Sequence, residues 1–412
     1  MTRARWSKTW ALPLLLAQAA ACSSFQPNPS SAPAPSEPAR TATPVVPASP
    51  TPLIPAEPIE SGWYEVDRVG DLEGNETRTL LVGSLRGTLT AAIPLGAQAP
   101  AERRDGHEAF AWTDPQADGI FAGRVLVWGR DGDPTAIEAV EVSDGSIQPL
   151  VDASEGTVHV ATADASLSQV FFVTVDEASN SPAGIWVARA ERGEPPLRLT
   201  HQFGPELVTN RFSYRLVANA DGSRLAMQGG AEGRVTLFDV DGDLSVELDP
   251  GGPIIGFADG HLVAYGAASA EGLRAVLAFD PSTLEGRELS EQATSAQVVP
   301  GTDGDLVAVM HQDLSDQTRF DIEAILVRTG EGRVAHTNEP GSFNQGLAPT
   351  HRTFLGAELP PDWVILVDSF FPYVEAPDIN PRPVPESDHP LLLNLRTGDT
   401  LRVGPFVAGP SQ

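Results

Sequence analysis

The chain has 412 residues, with 55 Asp and Glu against 27 Lys and Arg and a formal charge of −28. A surface of that sign repels a phosphate backbone, so nucleic acid is excluded as the main partner. The 38 Gly and 37 Pro interrupt the chain too often for long helices, which points to short strands and turns.

Residues 1 to 21 read as an export leader. Arg3, Arg5 and Lys8 are followed by an apolar stretch from Trp10 to Ala17 and a small-residue exit, Ala19-Ala20-Ala21. The apolar stretch falls well short of the roughly 20 residues that span a bilayer. Lys8 is the only lysine, so a chain that has lost its leader has none. That excludes a pyridoxal-phosphate Schiff base, a Walker-A loop and a lysine general base. Cys22 is the only cysteine, so no intrachain disulfide forms. No cofactor is expected.

Cys22 directly after the small-residue cluster resembles the lipobox of bacterial lipoproteins, in which the thiol is diacylated and the leader is cut just before it. The resemblance implies a membrane anchor at Cys22. Ser23 after the cysteine fits sorting to the outer membrane, with the leaflet face undetermined. The alternative is an ordinary signal-peptidase site that leaves a free thiol. Residues 22–58 follow as a linker with 11 prolines among Ser, Ala and Thr, a composition that builds no core. At about 3.1 Å per residue it reaches on the order of 100 Å, so it is expected to be a disordered spacer between membrane and domain.

From residue 59 to 412 short β-branched and aromatic runs alternate with turns, and no helical period persists, so the fold class is all-β. Asp-Gly pairs at 105, 118, 131, 144, 221, 241, 259 and 303 supply the positive φ that tight hairpins demand. The most apolar runs are Thr79 to Val82, Ala109 to Trp112, Val170 to Val175, Arg224 to Met227, His261 to Tyr265, Leu306 to Met310 and Trp363 to Val367. They recur about every 47 residues, within the range of a four-stranded propeller blade. Seven blades is the expected count, with six or eight open. Trp63 to Val69 is expected to pair with Thr400 to Val407 and close the ring.

Two repeats carry a family resemblance. Asp221-Gly222-Ser223-Arg224-Leu225-Ala226-Met227 with Val235 to Gly242, and Phe171-Phe172-Val173 with Gly184-Ile185-Trp186-Val187 and Leu197-Arg198-Leu199-Thr200, resemble the WD40-like repeat of TolB-type β-propellers. Prolyl-oligopeptidase-like proteases also carry such propellers. The resemblance implies a propeller and little about activity.

Sequence chemistry for catalysis is sparse. There is no G-x-S-x-G elbow and no H-E-x-x-H, and the histidines are scattered singly. Asp239-Val-Asp241-Gly-Asp243 reads as a hairpin, since Pro250 stands where a calcium loop needs its bidentate acid. Trp112, Trp128, Trp186 and Trp363 read as blade-packing residues.

The functional expectation is a lipid-anchored, non-enzymatic protein-binding platform in the cell envelope. The alternative is a hydrolase or lyase whose site assembles in the central channel. The loops between second and third strands are placed at 113–123, 176–184, 228–233, 266–273, 311–321 and 368–390, with 14 acids against Arg319 and Arg382. The longest holds the candidate partner-binding residues Phe370, Phe371, Tyr373, Asp378, Glu386 and Asp388. Aromatic anchors in a negative field suit an envelope protein or a basic peptide. Acids that only solvate the protein are the competing reading. The sequence does not state an oligomeric state.

Overall fold

The computed structural model describes residues 62–70, 76–84, 88–97, 103–104, 107–108, 116–152, 156–176, 181–189, 194–200, 215–229, 234–240, 244–312, 319–338, 345–347, 355–357, 359–368, 374–375, 391–402 and 406–407. All belong to one compact unit, Pro52–Gln412. The leader, Cys22 and the whole linker therefore lie outside the description. Among the described residues no helix is long and apolar enough to cross a membrane.

Apolar residues at alternate positions and turn residues between them give antiparallel hairpins, and these assemble into seven sheets of four or more strands among the described residues. Sheet 1 holds Gly62–Gly70, Glu76–Ser84 and Thr88–Ala97 with additions considered below. Sheet 2 runs Gln116–Phe121, Arg124–Trp128, Ala136–Glu141, Ile147–Asp152, and sheet 3 runs Thr157–Ala163, Gln169–Asp176, Ser181–Arg189, Leu197–Thr200. Sheet 4 is Arg215–Ala218, Arg224–Gln228, Val235–Asp239, Leu244–Leu248, and sheet 5 is Ile254–Ala258, His261–Ala268, Arg274–Phe279, Gly286–Ala293. Sheet 6 is Ser295–Val299, Leu306–Gln312, Phe320–Leu326, Gly332–Thr337, and sheet 7 is Gln345–Leu347, Trp363–Asp368, Leu391–Asn394, Thr400–Arg402. A strand pair Arg103–Arg104 with His107–Glu108 lies between sheets 1 and 2 in the chain. In sheets 2 to 6 the four strands pair in chain order, and the first strands of successive sheets lie side by side. That is the β-propeller architecture, with each first strand innermost.

A four-stranded sheet has two apolar faces, and each finds its partner in the next sheet. One buried layer joins sheets 1 and 2 (Leu80, Val82, Val125, Val140) and another joins sheets 2 and 3 (Leu126, Ile137, Phe172, Trp186). The series continues through sheets 3 and 4 (Phe171, Ile185, Leu225), 4 and 5 (Leu237, Leu262, Ala264), 5 and 6 (Val263, Val307, Ile325), and 6 and 7 (Ala308, Ile322, Val364, Leu393). Trp128 and Trp186 are packing residues, as expected, and Trp186 Nε1 donates to Thr174 Oγ1 at 2.9 Å.

Polar latches tie the same sheets at both ends of the layers. Asp305 and Asp362 each immediately precede the second strand of their sheet. Their main-chain carbonyls accept the N–H of Val327 (3.1 Å) and Leu395 (2.7 Å), and their carboxylates accept the N–H of Asp259 (2.7 Å) and Thr302 (3.1 Å) from the preceding sheet. At the opposite end Gln228 bonds Gly252 O and Ile254 N, both at 2.9 Å, and the Tyr265 hydroxyl accepts the Ala296 N–H at 2.5 Å. Arg287 donates to the carbonyls of Val327 and Arg328, and Arg333 to that of Leu395, so two outer strands are stapled to the next sheet.

The structure corrects two assignments. Ala109 to Trp112 lies outside the described residues, and the second strand of sheet 2 is Arg124–Trp128, preceded by an inner strand that sequence reading took for a loop. Closure also differs. Thr400–Arg402 pairs with Leu391–Asn394 in sheet 7, whereas Gly62–Gly70 pairs with Leu355–Ala357, Trp63 opposite Ala357. Phe406–Val407 does reach sheet 1, running parallel to the outer strand Thr88–Ala97, and Val374–Glu375 runs parallel beside it. Short strands of this kind show no run of alternating residues. The strands on either side of the Asp239 run pair antiparallel, with Asp239 opposite Leu244 and bridged to Arg224 at 3.4 Å, while Asp241 to Asp243 lie outside the described residues.

Asp362 is nearly buried, at 5 % exposure, and holds Arg396 Nε at 2.6 Å, the Thr302 hydroxyl and the Thr302 N–H. Burial works against its charge, but the bonds from Thr302 and Arg396 outweigh it and hold the carboxyl below its ordinary range. Asp362 also has φ +72°, which Asn tolerates. Asp362→Asn therefore keeps the turn and removes the charge, and is expected to lower stability by about 2 kcal/mol at neutral pH, measured by urea unfolding. The charge stabilises above the ordinary carboxylate range and ceases to as pH falls through the lower folded value, so wild type and variant should converge in acid.

Candidate functional site

The loops joining second to third strands emerge together at one end of the sheets, because antiparallel strands reverse direction at each turn. In sheet 2 this loop is 129–135, not 113–123. Its backbone turns through Arg130–Gly132, with Asp131 at φ 55° and Gly132 at φ 77°. Arg130 grips Glu138 through two bonds, Nε to Oε2 at 2.5 Å and Nη2 to Oε1 at 2.8 Å. That bonding raises the guanidinium further above its usual value. Asp133 accepts the Thr135 N–H (3.0 Å) and hydroxyl (2.8 Å), which lowers its carboxyl.

Of the 14 acids assigned to this rim, Asp118 belongs instead to the inner strand Gln116–Phe121. Asp176, Asp321, Asp368 and Glu375 lie in strands rather than loops. Glu271 is exposed on the turn between His261–Ala268 and Arg274–Phe279. Phe370, Phe371, Tyr373, Asp378, Glu386 and Asp388 lie outside the described residues, as do Asp114, Glu177, Glu232, Asp313 and Asp316. The connection between Asp368 and Leu391, to which Phe370, Phe371, Tyr373, Asp378, Glu386 and Asp388 belong, pairs at Val374–Glu375 with Phe406–Val407 beside sheet 1. It is therefore anchored to the first sheet as well as the last.

Among the described residues the inner strands of sheets 3 and 4 carry the ionisable residues His159 and Arg215, and Arg215 Nη1 donates to Ile254 O of the next inner strand. His159 sits at a bulge, where Val158 opposes Thr174 and Val160 opposes Val173. Burial pushes its imidazole down to about 4. His159 is thus a strand residue, as the scatter of single histidines implied, and the bulge itself leaves no mark in hydrophobic periodicity. Among the described residues no three His, Cys, Asp or Glu side chains are grouped to hold a metal ion.

A cavity of about 210 Å³ opens between sheets 6 and 7 over Leu306, Ala324, Leu326 and Leu395, edged by Glu331, Arg333 and Arg396. Both guanidiniums are engaged: Arg333 on Leu395 O, and Arg396 on Asp362 and, at 3.1 Å, on Asp303. The notch is apolar at its base, and both of its guanidiniums already donate to groups within the protein.

No protein-family model matches the chain, and no curated protein is significantly similar to it. Solved structures that share its course include an oligogalacturonate lyase in complex with manganese (11 % identity, 83 % of this chain and 84 % of that one, TM-score 0.46). A prolyl endopeptidase is similar at 10 % identity over 82 % of this chain and 49 % of its own length, TM-score 0.48. TolB from Acinetobacter baumannii is similar at 9 % identity over 82 % and 77 %, TM-score 0.37. Enzymes and TolB stand together in this set, and at such identities none lends its activity to this chain.

The buried His159 yields a pH prediction. Its folded value lies near 4 and its unfolded value near 6.5, so the unfolded chain binds the extra proton between them. Stability should fall as pH drops from about 6.5 to about 4, and His159→Gln should flatten that part of the profile, as read by thermal unfolding across the range.

Proposed function

We propose that the chain is an exported β-propeller, held to a membrane by lipid on Cys22, whose loop rim binds a protein or a basic peptide without catalysis. Taken as one blade each, the seven sheets make a ring of seven. The observation that carries the reading is the pairing of a lone cysteine behind an export leader with a Pro-rich spacer and a self-satisfied propeller. The spacer lets a rigid body reach away from the membrane, and the propeller offers a rim of loops for contact. The outer membrane is the proposed address, from Ser23.

Labelling cells with radioactive palmitate tests the anchor. Wild type should take up label and fractionate with membrane, and Cys22→Ser should lose the label and either leave the membrane or retain its leader. An unlabelled, soluble wild type would end the lipoprotein reading. For the rim, deletion of Phe370 to Pro385 should weaken binding of an Arg- and Lys-rich peptide, most visibly at low salt, where a Debye length is longest. Equal binding by both proteins, insensitive to salt, would leave the acids a solvating role only.

A further inference from the structure

His311 is the penultimate residue of Leu306–Gln312, the second strand of sheet 6, at the foot of the loop that leads to Phe320. Its two ring nitrogens meet two acceptors. Nδ1 lies 2.6 Å from the main-chain oxygen of Gln292, in the outer strand of sheet 5, and Nε2 lies 3.0 Å from Glu323 Oε2 on the third strand of sheet 6. A carbonyl oxygen and an ionised carboxylate have no proton to give. A neutral imidazole carries one proton and would turn a lone pair towards one of these oxygens. Only the imidazolium donates to both.

We propose that His311 is a proton-operated latch between sheets 5 and 6. Doubly protonated, the ring ties the Gln292 carbonyl to Glu323 and so fastens the outer strand of one sheet to the rim end of the next. On giving up a proton it keeps one of the two bonds, and the seam slackens at the foot of the loop. Release is reversible and involves only exchange of that proton with solvent, to which both side chains are open at 33 % and 29 % exposure.

Asp321 stands directly opposite His311 in the ladder, and Glu323 follows two residues later on the same face. In sheet 5 Glu291 is next to Gln292. Arg274, opposite Ala293, is turned to the Gly266 carbonyl at 3.1 Å, and the Tyr265 hydroxyl is engaged with Ala296. The inner strand of sheet 6, Ser295–Val299, contributes no ionisable side chain. On the outer strand of sheet 6 His336 lies opposite Ile322 and interacts electrostatically with Asp321. The inference stands independently of what the rim binds.

The test is long-range proton–nitrogen NMR of the full chain carrying ring-labelled histidine, from pH 5.5 to 8.5, with the His311 signals identified by their loss in His311→Gln. Both ring nitrogens of His311 should show the protonated pattern at pH 5.5 and change to a single-proton pattern as pH rises. Wild type should unfold about 2 °C above His311→Gln at pH 5.5, and the gap should close by pH 8.5. Taking the difference between these two proteins cancels the opposite trend expected from His159. A single-proton ring at pH 5.5, or a gap that ignores pH, would overturn the latch. Should His311→Gln fail to fold, signals displaced by Glu323→Gln identify the ring, and its pattern in wild type decides alone.

Discussion

A twisted sheet of four short strands has two apolar faces and cannot bury either by itself. Every other feature of this chain follows from how that deficit is met. Each face is covered by the next sheet, so stability resides in layers between sheets rather than inside any of them, as in other repeat architectures. Phe171 and Phe172 show the division of labour: adjacent in sequence, both wholly buried, they serve opposite layers, one towards sheet 4 and the other towards sheet 2. Apolar layers are non-directional, however, and would tolerate sliding. The latches at Asp305, Asp362, Gln228 and Tyr265 fix register, since each spans a seam and each uses a main-chain group that cannot move without its strand.

The same constraint leaves the first sheet incomplete. Its own residues supply three strands, and later segments supply the rest on both sides: Leu355–Ala357 on the inner edge, then Phe406–Val407 and Val374–Glu375 on the outer. Exposed strand edges invite pairing with other chains, and here both are occupied from within. The connection that holds the candidate binding residues is thereby attached to two sheets, which gives a long segment two fixed points.

The sequence made the repeat legible because its signal is strong where burial is complete. Runs such as Val170 to Val175 and Leu306 to Met310 are apolar on both faces, and six of the seven apolar runs used to set the period are second strands. The exception is instructive. Val125 to Trp128 is a second strand, but its preceding inner strand, Gln116–Phe121, reads as Gln-Ala-Asp-Gly-Ile-Phe and is broken by a bulge at Gly119 (φ 64°), so it looked like a loop. Asp-Gly pairs proved to do different work in different places: Asp259-Gly260 forms a two-residue hairpin with both φ positive, while Asp118-Gly119 kinks a strand. The closing strand was illegible for a different reason, since three residues, Leu-Gly-Ala, carry no periodicity. Contacts between sheets, including His311 with Gln292 and the environment of His159, depend on which residues meet across a seam, and spacing along the chain does not encode that.

The pairing of Trp63 with Ala357 has a further consequence for how the molecule comes into being. A ribosome delivers Gly62–Gly70 long before its inner neighbour, Leu355–Ala357. Until then the opening hairpins have a raw edge and one uncovered apolar face, and the separation in sequence makes their completion slow.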